Sequence, residues 1–354
     1  MGNPENVVYH VSQLIGRTPL FELCRTDTGS RLLLKLEQFN PTGSAKVRMA
    51  EQMMIDAELS GQLRPGGHVI EPTSGNTGLG LALAAIERGY RFTAVVDHHA
   101  SKDKLRAMAA LGAKLHYVAD SPTGGVQSVE RRKRAAELAA ADPDSFRPDQ
   151  HNNPGNTEGY RGLAHELLQD LYGDVDCLIS AIGTGGSLCG TAKELRRLGS
   201  QVTTVGVEPA GSIIFGGAPA KYWQTGSGSP QGFPVGSNVD YSAIDQGIQV
   251  SDADAFATAR MVARRTGLMI GGSAGGAICV ALRQLAALPA KSTVVTLVCD
   301  AGEKYLDTVF DDEWMRERGL LDPATDRAVE QLLDSYAASV PTPRAETARM
   351  ETHA

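Results

Sequence analysis

Short runs rich in β-branched and apolar residues alternate along this chain with longer stretches of helical periodicity. Arg31 to Glu37 precedes a helix near Val47 to Ser60, and His68 to Glu71 precedes one from Thr77 to Arg88. Further apolar runs at Arg91 to Asp97, Lys114 to Val118, Asp176 to Ile182, Thr203 to Glu208 and Thr293 to Cys299 continue the alternation. Strands that are apolar on both faces and separated by helices predict parallel sheets covered on each side. The expected class is therefore α/β, with two such sheets. Asp142-Pro143-Asp144-Ser145 and the glycine-rich stretch from Gly226 to Gly236 read as loops. Past Asp322 the pattern weakens, and the end after Val340 has the composition of a disordered tail.

Three turns that follow apolar runs are rich in glycine and hydroxyl side chains: Thr73-Ser74-Gly75-Asn76-Thr77-Gly78, Gly183-Thr184-Gly185-Gly186-Ser187 and Gly271-Gly272-Ser273-Ala274-Gly275-Gly276. A glycine-rich turn that opens a helix offers convergent backbone N–H groups and the positive end of the helix dipole, which suits an anion. Upstream of them lies Asn40-Pro41-Thr42-Gly43-Ser44-Ala45-Lys46-Val47-Arg48. An amine that forms a Schiff base has to be neutral part of the time, and an apolar wall such as Ala45, Val47 and Met49 favours that state. Lys46 with a phosphate-binding turn predicts a site for an aldehyde cofactor. The 183–187 turn is no dinucleotide fingerprint, because Leu188 stands where the third glycine belongs.

Length and charge narrow the class. The 354 residues suit two domains of roughly 100 to 200 residues each. A net charge of −7 with no basic, aromatic-interleaved stripe argues against nucleic acid. No apolar run reaches membrane-spanning length, and the N-terminus lacks the basic and apolar regions of a secretory signal. Five cysteines without CxxC spacing read as free thiols of a cytoplasmic protein. The triplet Asp97-His98-His99 has no partner ligands at suitable spacing, so no metal is expected.

In their order and spacing these segments, with Leu14-Ile15-Gly16-Arg17-Thr18-Pro19-Leu20 near the start and Gly302-Glu303-Lys304-Tyr305-Leu306-Asp307 near the end, resemble the cysteine synthase family. These are the fold type II β-replacement synthases that use pyridoxal 5'-phosphate (PLP), and the similarity covers roughly residues 8 to 320. The resemblance implies a smaller mobile domain over 39–152, a larger cofactor-phosphate-binding domain over 8–38 and 153–325, a tail over 326–354, and a homodimer. It implies that Lys46 carries the cofactor and later moves the substrate's Cα proton. Gly183, Thr184, Gly185, Gly186 and Ser187 would hold the cofactor phosphate, with Ser187 where the family usually has Thr. Asn76 would meet the cofactor's 3'-oxygen, and Thr73, Ser74, Gly75, Asn76, Thr77 and Gln150 would hold the substrate carboxylate. Ser273 would meet the pyridine nitrogen. A neutral hydroxyl there leaves the ring a weaker electron sink, which suits loss of a β-substituent over a long-lived carbanion.

The chain departs from the pattern at Val47, where an Asp commonly precedes the Arg. The segments 207–217 and 304–314 look more like two branches that use O-phospho-L-serine, the S-sulfocysteine synthases and the N-(2-amino-2-carboxyethyl)-L-glutamate synthases. The implied reaction is β-replacement on an activated L-serine through α-aminoacrylate. O-phospho-L-serine is preferred over O-acetyl-L-serine, and a sulfur nucleophile over the glutamate amine. Arg48, Lys102 and Lys104 are candidate cations for the phosphate. A serine or threonine dehydratase-type lyase and a non-catalytic, peptide-binding paralogue are the alternatives.

Overall fold

The computed structural model describes residues 7–119 and 127–337. The proposed disordered end of the tail lies outside the described residues. Among the described residues ten strands form two sheets: β1 Leu20–Arg25, β2 Arg31–Lys35, β3 His68–Pro72, β4 Arg91–Val96, β5 Lys114–Tyr117, β6 Ser145–Phe146, β7 Cys177–Ala181, β8 Thr203–Pro209, β9 Gln246–Val250 and β10 Thr293–Leu297. The larger sheet has the order β1-β2-β10-β7-β8-β9 and the smaller β5-β4-β3-β6. Every pairing is parallel except the β1–β2 hairpin. The smaller sheet thus comes wholly from the middle of the first half of the chain, between two strands of the larger one.

Helices α1 Lys46–Leu59, α2 Asn76–Arg88, α3 Lys102–Ala110, α4 Gln127–Ala140, α5 Gly155–Glu158, α6 Arg161–Asp170, α7 Thr191–Arg197, α8 Asp252–Thr266, α9 Gly272–Leu285, α10 Asp312–Glu317 and α11 Pro323–Ala337 cover the sheets. α9 is apolar around its circumference and buried over most of its length, as a helix enclosed by other elements must be. One apolar cluster lies under α8, α9 and α11. A second joins Leu33, Leu178 and Val295 of the larger sheet to Val69, Ala94 and Val96 of the smaller.

Four elements depart from the expectation. β1 and β9 are edge strands with mixed exposure, so neither shows an apolar run on both faces. Ser145, read as loop, opens the short edge strand β6, which pairs with β3. The stretch beyond Asp322 is helical: Val329, Leu333 and Tyr336 face the core, and the Tyr336 hydroxyl donates to Leu282 O at 3.0 Å. Only three apolar contacts at helical spacing among alanines and charges make a faint pattern.

A buried ion network fixes α1 in place. Arg48 donates to Glu37 through Nε and Nη2 at 2.7 and 2.8 Å and to Glu166 through Nη1 and Nη2 at 2.8 and 3.0 Å. Lys35 Nζ adds an ion pair to Glu166 at 2.9 Å and donates to Thr18 O at 2.6 Å. Burial opposes ionisation of Glu166, yet Arg48 and Lys35 hold its carboxyl down to about 2. Glu37 is fully buried and also accepts from Thr18 Oγ1 and Asn40 Nδ2. Replacing Arg48 strands that carboxylate, so Arg48→Met should destabilise the protein by about 3–5 kcal/mol in urea unfolding.

Candidate functional site

Lys46 is set by backbone pairing between two distant segments. Ala45 N donates to Cys299 O at 2.8 Å and Ala301 N to Gly43 O at 3.3 Å, so residues 43–45 run antiparallel to 299–301, just past β10. The Schiff-base candidate is thereby the first residue of α1 and half-buried. Val47, the departure from the family pattern, is buried where α1 meets α2 at Gly80.

The turn 73–78 opens α2 beyond β3. Thr73 Oγ1 accepts from Gly78 N at 3.1 Å, closing the turn internally. Arg131 Nη1 of α4 donates to Ser74 Oγ at 2.6 Å and Arg131 Nε pairs with Asp97 at 3.2 Å. Thr77 Oγ1 donates to Gln150 Oε1 at 2.7 Å, so the two carboxylate-binding candidates meet. A Cβ at Gly75 would meet nothing within 4 Å, so that turn borders open space.

Gln150 is held from behind. Glu71 of β3, almost wholly buried, accepts from Asp149 N and Gln150 N at 3.0 and 3.2 Å. Burial pushes the Glu71 carboxyl up to about 7 against those two hydrogen bonds. Asn156 Nδ2 donates to Gln150 O at 2.6 Å and to Thr184 Oγ1 at 3.0 Å, tying the carboxylate side of the site to the glycine turn.

That turn follows β7 and runs through a π-helical segment, Gly186–Gly190, into α7, which begins at Thr191. Single π turns are frequent at functional sites. Gly185 has φ +90°, and a Cβ there would lie 2.3 Å from Asn238 O. At Gly186 it would lie 1.8 Å from Asn156 Oδ1. Gly183 packs against Gly226 and Ser227, whose buried Oγ has no hydrogen-bond partner among the described residues. A wall of backbone N–H groups that excludes side chains, with an orphaned hydroxyl beside it, fits a phosphate. Ser273, buried in the first turn of α9, follows Gly271, which lies against Asp300.

Several residues here carry no local signature. Asp300 Oδ2 accepts from Asn76 Nδ2 at 2.7 Å and from the Tyr305 hydroxyl at 2.6 Å. Lys304 Nζ donates to Thr42 O, Gly43 O and Asn76 Oδ1. Lys104, buried under α3, donates to the Tyr305 hydroxyl at 3.2 Å, and burial lowers its pKa against Asp300 and Asp307. Lys102 is exposed, and the Arg48 guanidinium is committed to Glu37 and Glu166, so Arg48 is not free to receive a phosphate inside the site. His151 stacks edge-on to Phe233 at 5.1 Å, and burial pushes its imidazole down to about 4, with Arg132, Lys46 and Arg131 adding to the shift and Asp149 opposing it. Among the described residues no group of His, Cys, Asp or Glu is arranged for a metal; Asp97 pairs with Arg131 and His98 stacks on Tyr117 at 4.8 Å.

Two outcomes follow from this geometry. Gly186→Ala should displace Asn156 or the turn and weaken PLP binding at least about tenfold in equilibrium dialysis, the loss of one charge-assisted contact being enough. Glu71 carries a raised pKa, so its contribution to stability is complete below 4.5 and is lost as pH rises through about 7. Glu71→Gln should flatten the pH dependence of the urea midpoint across that window.

Comparison with known proteins places the chain. The family model for pyridoxal-phosphate dependent enzymes matches residues 11–300. A putative cysteine synthase of Sinorhizobium fredii is 51% identical over 315 residues, 89% of this chain and 94% of that protein. The crystal structure of an O-acetylserine dependent cystathionine beta-synthase from Helicobacter pylori matches with a TM-score of 0.77 at 34% identity, over 85% of this chain and 98% of that one. That of an O-ureido-L-serine synthase matches with a TM-score of 0.80 at 32% identity, over 92% and 99%. With most of its length matched in sequence and in fold, the chain belongs to the fold type II pyridoxal-phosphate dependent enzymes and, among them, to the cysteine synthase family.

Proposed function

We propose that this enzyme exchanges the β-substituent of O-phospho-L-serine, in preference to O-acetyl-L-serine, for a sulfur nucleophile, giving cysteine or S-sulfocysteine. The observation that carries the reading is a chain of contacts: Thr77 meets Gln150, Asn156 joins Gln150 to Thr184 of the 183–187 cradle, and Lys304 ties Asn76 to the 42–43 turn that precedes Lys46. PLP, held at Lys46 and on that cradle, supplies the electron-withdrawing ring that acidifies the substrate's Cα–H and lets the β-substituent leave.

The chain's own groups do the rest. The N–H groups and hydroxyls of Thr73, Ser74, Gly75, Asn76 and Thr77, with the Gln150 amide, orient the substrate carboxylate. The Lys46 amine takes the Cα proton, the β-substituent departs with its bonding electron pair as inorganic phosphate, and Lys46 returns a proton to Cα after the nucleophile has added at Cβ. The preference for the phosphate ester is supported by two cations beside the substrate turn: Arg131, which donates to Ser74, and Arg132, which lies over the Phe233 ring that packs on His151. The same cations favour a second reading, with the glutamate amine as nucleophile and its side-chain carboxylate held there, giving N-(2-amino-2-carboxyethyl)-L-glutamate.

The proposal extends to the setting. The smaller domain, 39–152, closes over the substrate. Two chains associate through the surface where the 11–14 turn meets α2, with Ser12 N donating to Glu87 and with Val11, Leu14 and Ile86 exposed. The five free cysteines favour a reducing, cytoplasmic location.

The test is the visible spectrum of the holoenzyme with each serine ester added separately. O-phospho-L-serine should move the cofactor band, and sulfide or thiosulfate should restore it. Restoration by glutamate alone would select the second reading. A band moved only by O-acetyl-L-serine overturns the leaving group, and pyruvate released without a nucleophile makes the enzyme a lyase. Lys46→Ala should lose turnover by about a thousandfold or more. Light scattering should give twice the chain mass.

A further inference from the structure

Lys304 is used up by three acceptors from two separate parts of the site. An ammonium has three hydrogens and no lone pair, and these go to Thr42 O at 2.8 Å, Gly43 O at 3.0 Å and Asn76 Oδ1 at 2.7 Å. Thr42 and Gly43 both have φ +67°, a left-handed pair that few side chains tolerate, and their successive carbonyls converge on one cation. Gly43 leaves room for the lysine stem, since a Cβ there would lie 3.3 Å from Lys304 Cε. Burial pushes this amine down to about 8, with Asp300 opposing, Lys104 adding and Glu303 opposing. Below that pH it keeps all three hydrogens.

The chemistry of the two partners fixes which way the Asn76 amide points. Lys304 can only donate, so it must face Oδ1; the Asp300 carboxylate can only accept, so it must face Nδ2, at 2.7 Å. Asp300 is itself held by the Tyr305 hydroxyl, which Lys104 and Thr225 approach at 3.2 and 3.3 Å. One Nδ2 hydrogen of Asn76 is left to offer, at the first residue of α2.

We propose that Lys304 and Asp300 are positioning residues that lock Asn76 as a hydrogen-bond donor and tie it to the turn that carries Lys46. The inference rests on the functional reading above, in which Asn76 meets an oxygen of PLP. With Lys304 removed, Asp300 still holds Nδ2, but Oδ1 loses its partner and Asn76 loses its tie to the 42–43 turn, so the amide leaves its donating position for part of the population.

The experiment compares wild-type, Lys304→Met, Asn76→Ala and the double variant, each reconstituted with PLP, by equilibrium dialysis and by the position of the visible band. Lys304→Met and Asn76→Ala should each weaken PLP binding by about ten- to a hundredfold and displace the band in the same direction. The double variant should match Asn76→Ala alone. Additive losses, or a Lys304→Met protein with wild-type affinity and band, overturn the inference. Lys304→Gln, which keeps a neutral donor for Asn76, should lie between wild type and Lys304→Met; it serves where the methionine variant does not fold, and a glutamine variant with the wild-type band and affinity likewise overturns the inference. A wild-type protein that takes up no PLP overturns the functional reading and this inference with it, whereas a coloured wild type with unmoved variants overturns the inference alone.

Discussion

Asp300 Oδ2 receives Asn76 Nδ2 from the smaller sheet's side of the site and the Tyr305 hydroxyl from the segment beyond β10. Its backbone runs beside Ser44, and its carbonyl accepts from Gly271 N. One buried residue therefore touches the turn that carries Lys46, the helix start that carries Asn76 and the loop that leads to Ser273. This carboxylate is 3% exposed and its Oδ2 is met by two donors that are the site's own parts, while Oδ1 has no hydrogen-bond partner among the described residues. The arrangement of the site and the solvation of this charge are the same structural fact.

The division of labour among cations follows from burial. Arg48, three positions from Ala45 on the buried face of α1, faces two carboxylates and serves as an anchor for the helix that presents Lys46. Arg131, reaching from α4 to Ser74, has a looser pairing with Asp97 and lies beside the 73–78 turn. Two arginines that look alike in a sequence are separated by how many acceptors the fold has already given each.

Much of the architecture could be read in advance, because strands buried on both faces write themselves as unbroken apolar runs. The edge strands β1 and β9 could not, since an edge needs only part of one face covered. Of the candidate site, Lys46 and the three glycine turns stand out in the sequence because the spacing expected of a phosphate cradle and a Schiff-base lysine is short and local. Asp300, Lys304, Asn156 and Glu71 do not. Lys304 lies 228 positions from Asn76 in the chain, and the Gly-Glu-Lys-Tyr turn, though part of the resemblance, gives no hint of that partner. Asn156 matters through two acceptors supplied by separate loops, and Glu71 through backbone groups, which leave no trace in side-chain pattern.

The apolar cluster that joins Leu33, Leu178 and Val295 to Val69, Ala94 and Val96 runs without interruption between the sheets. Close-packed interiors resist opening, because separating them exposes apolar surface with nothing to replace the lost contacts. Any relative displacement of the two layers must therefore keep that surface covered. Sliding of α1 against its neighbours by small side-chain repacking meets this condition, whereas swinging apart about a distant pivot does not. The seam makes shear, in place of a hinge, the inexpensive coordinate of this molecule.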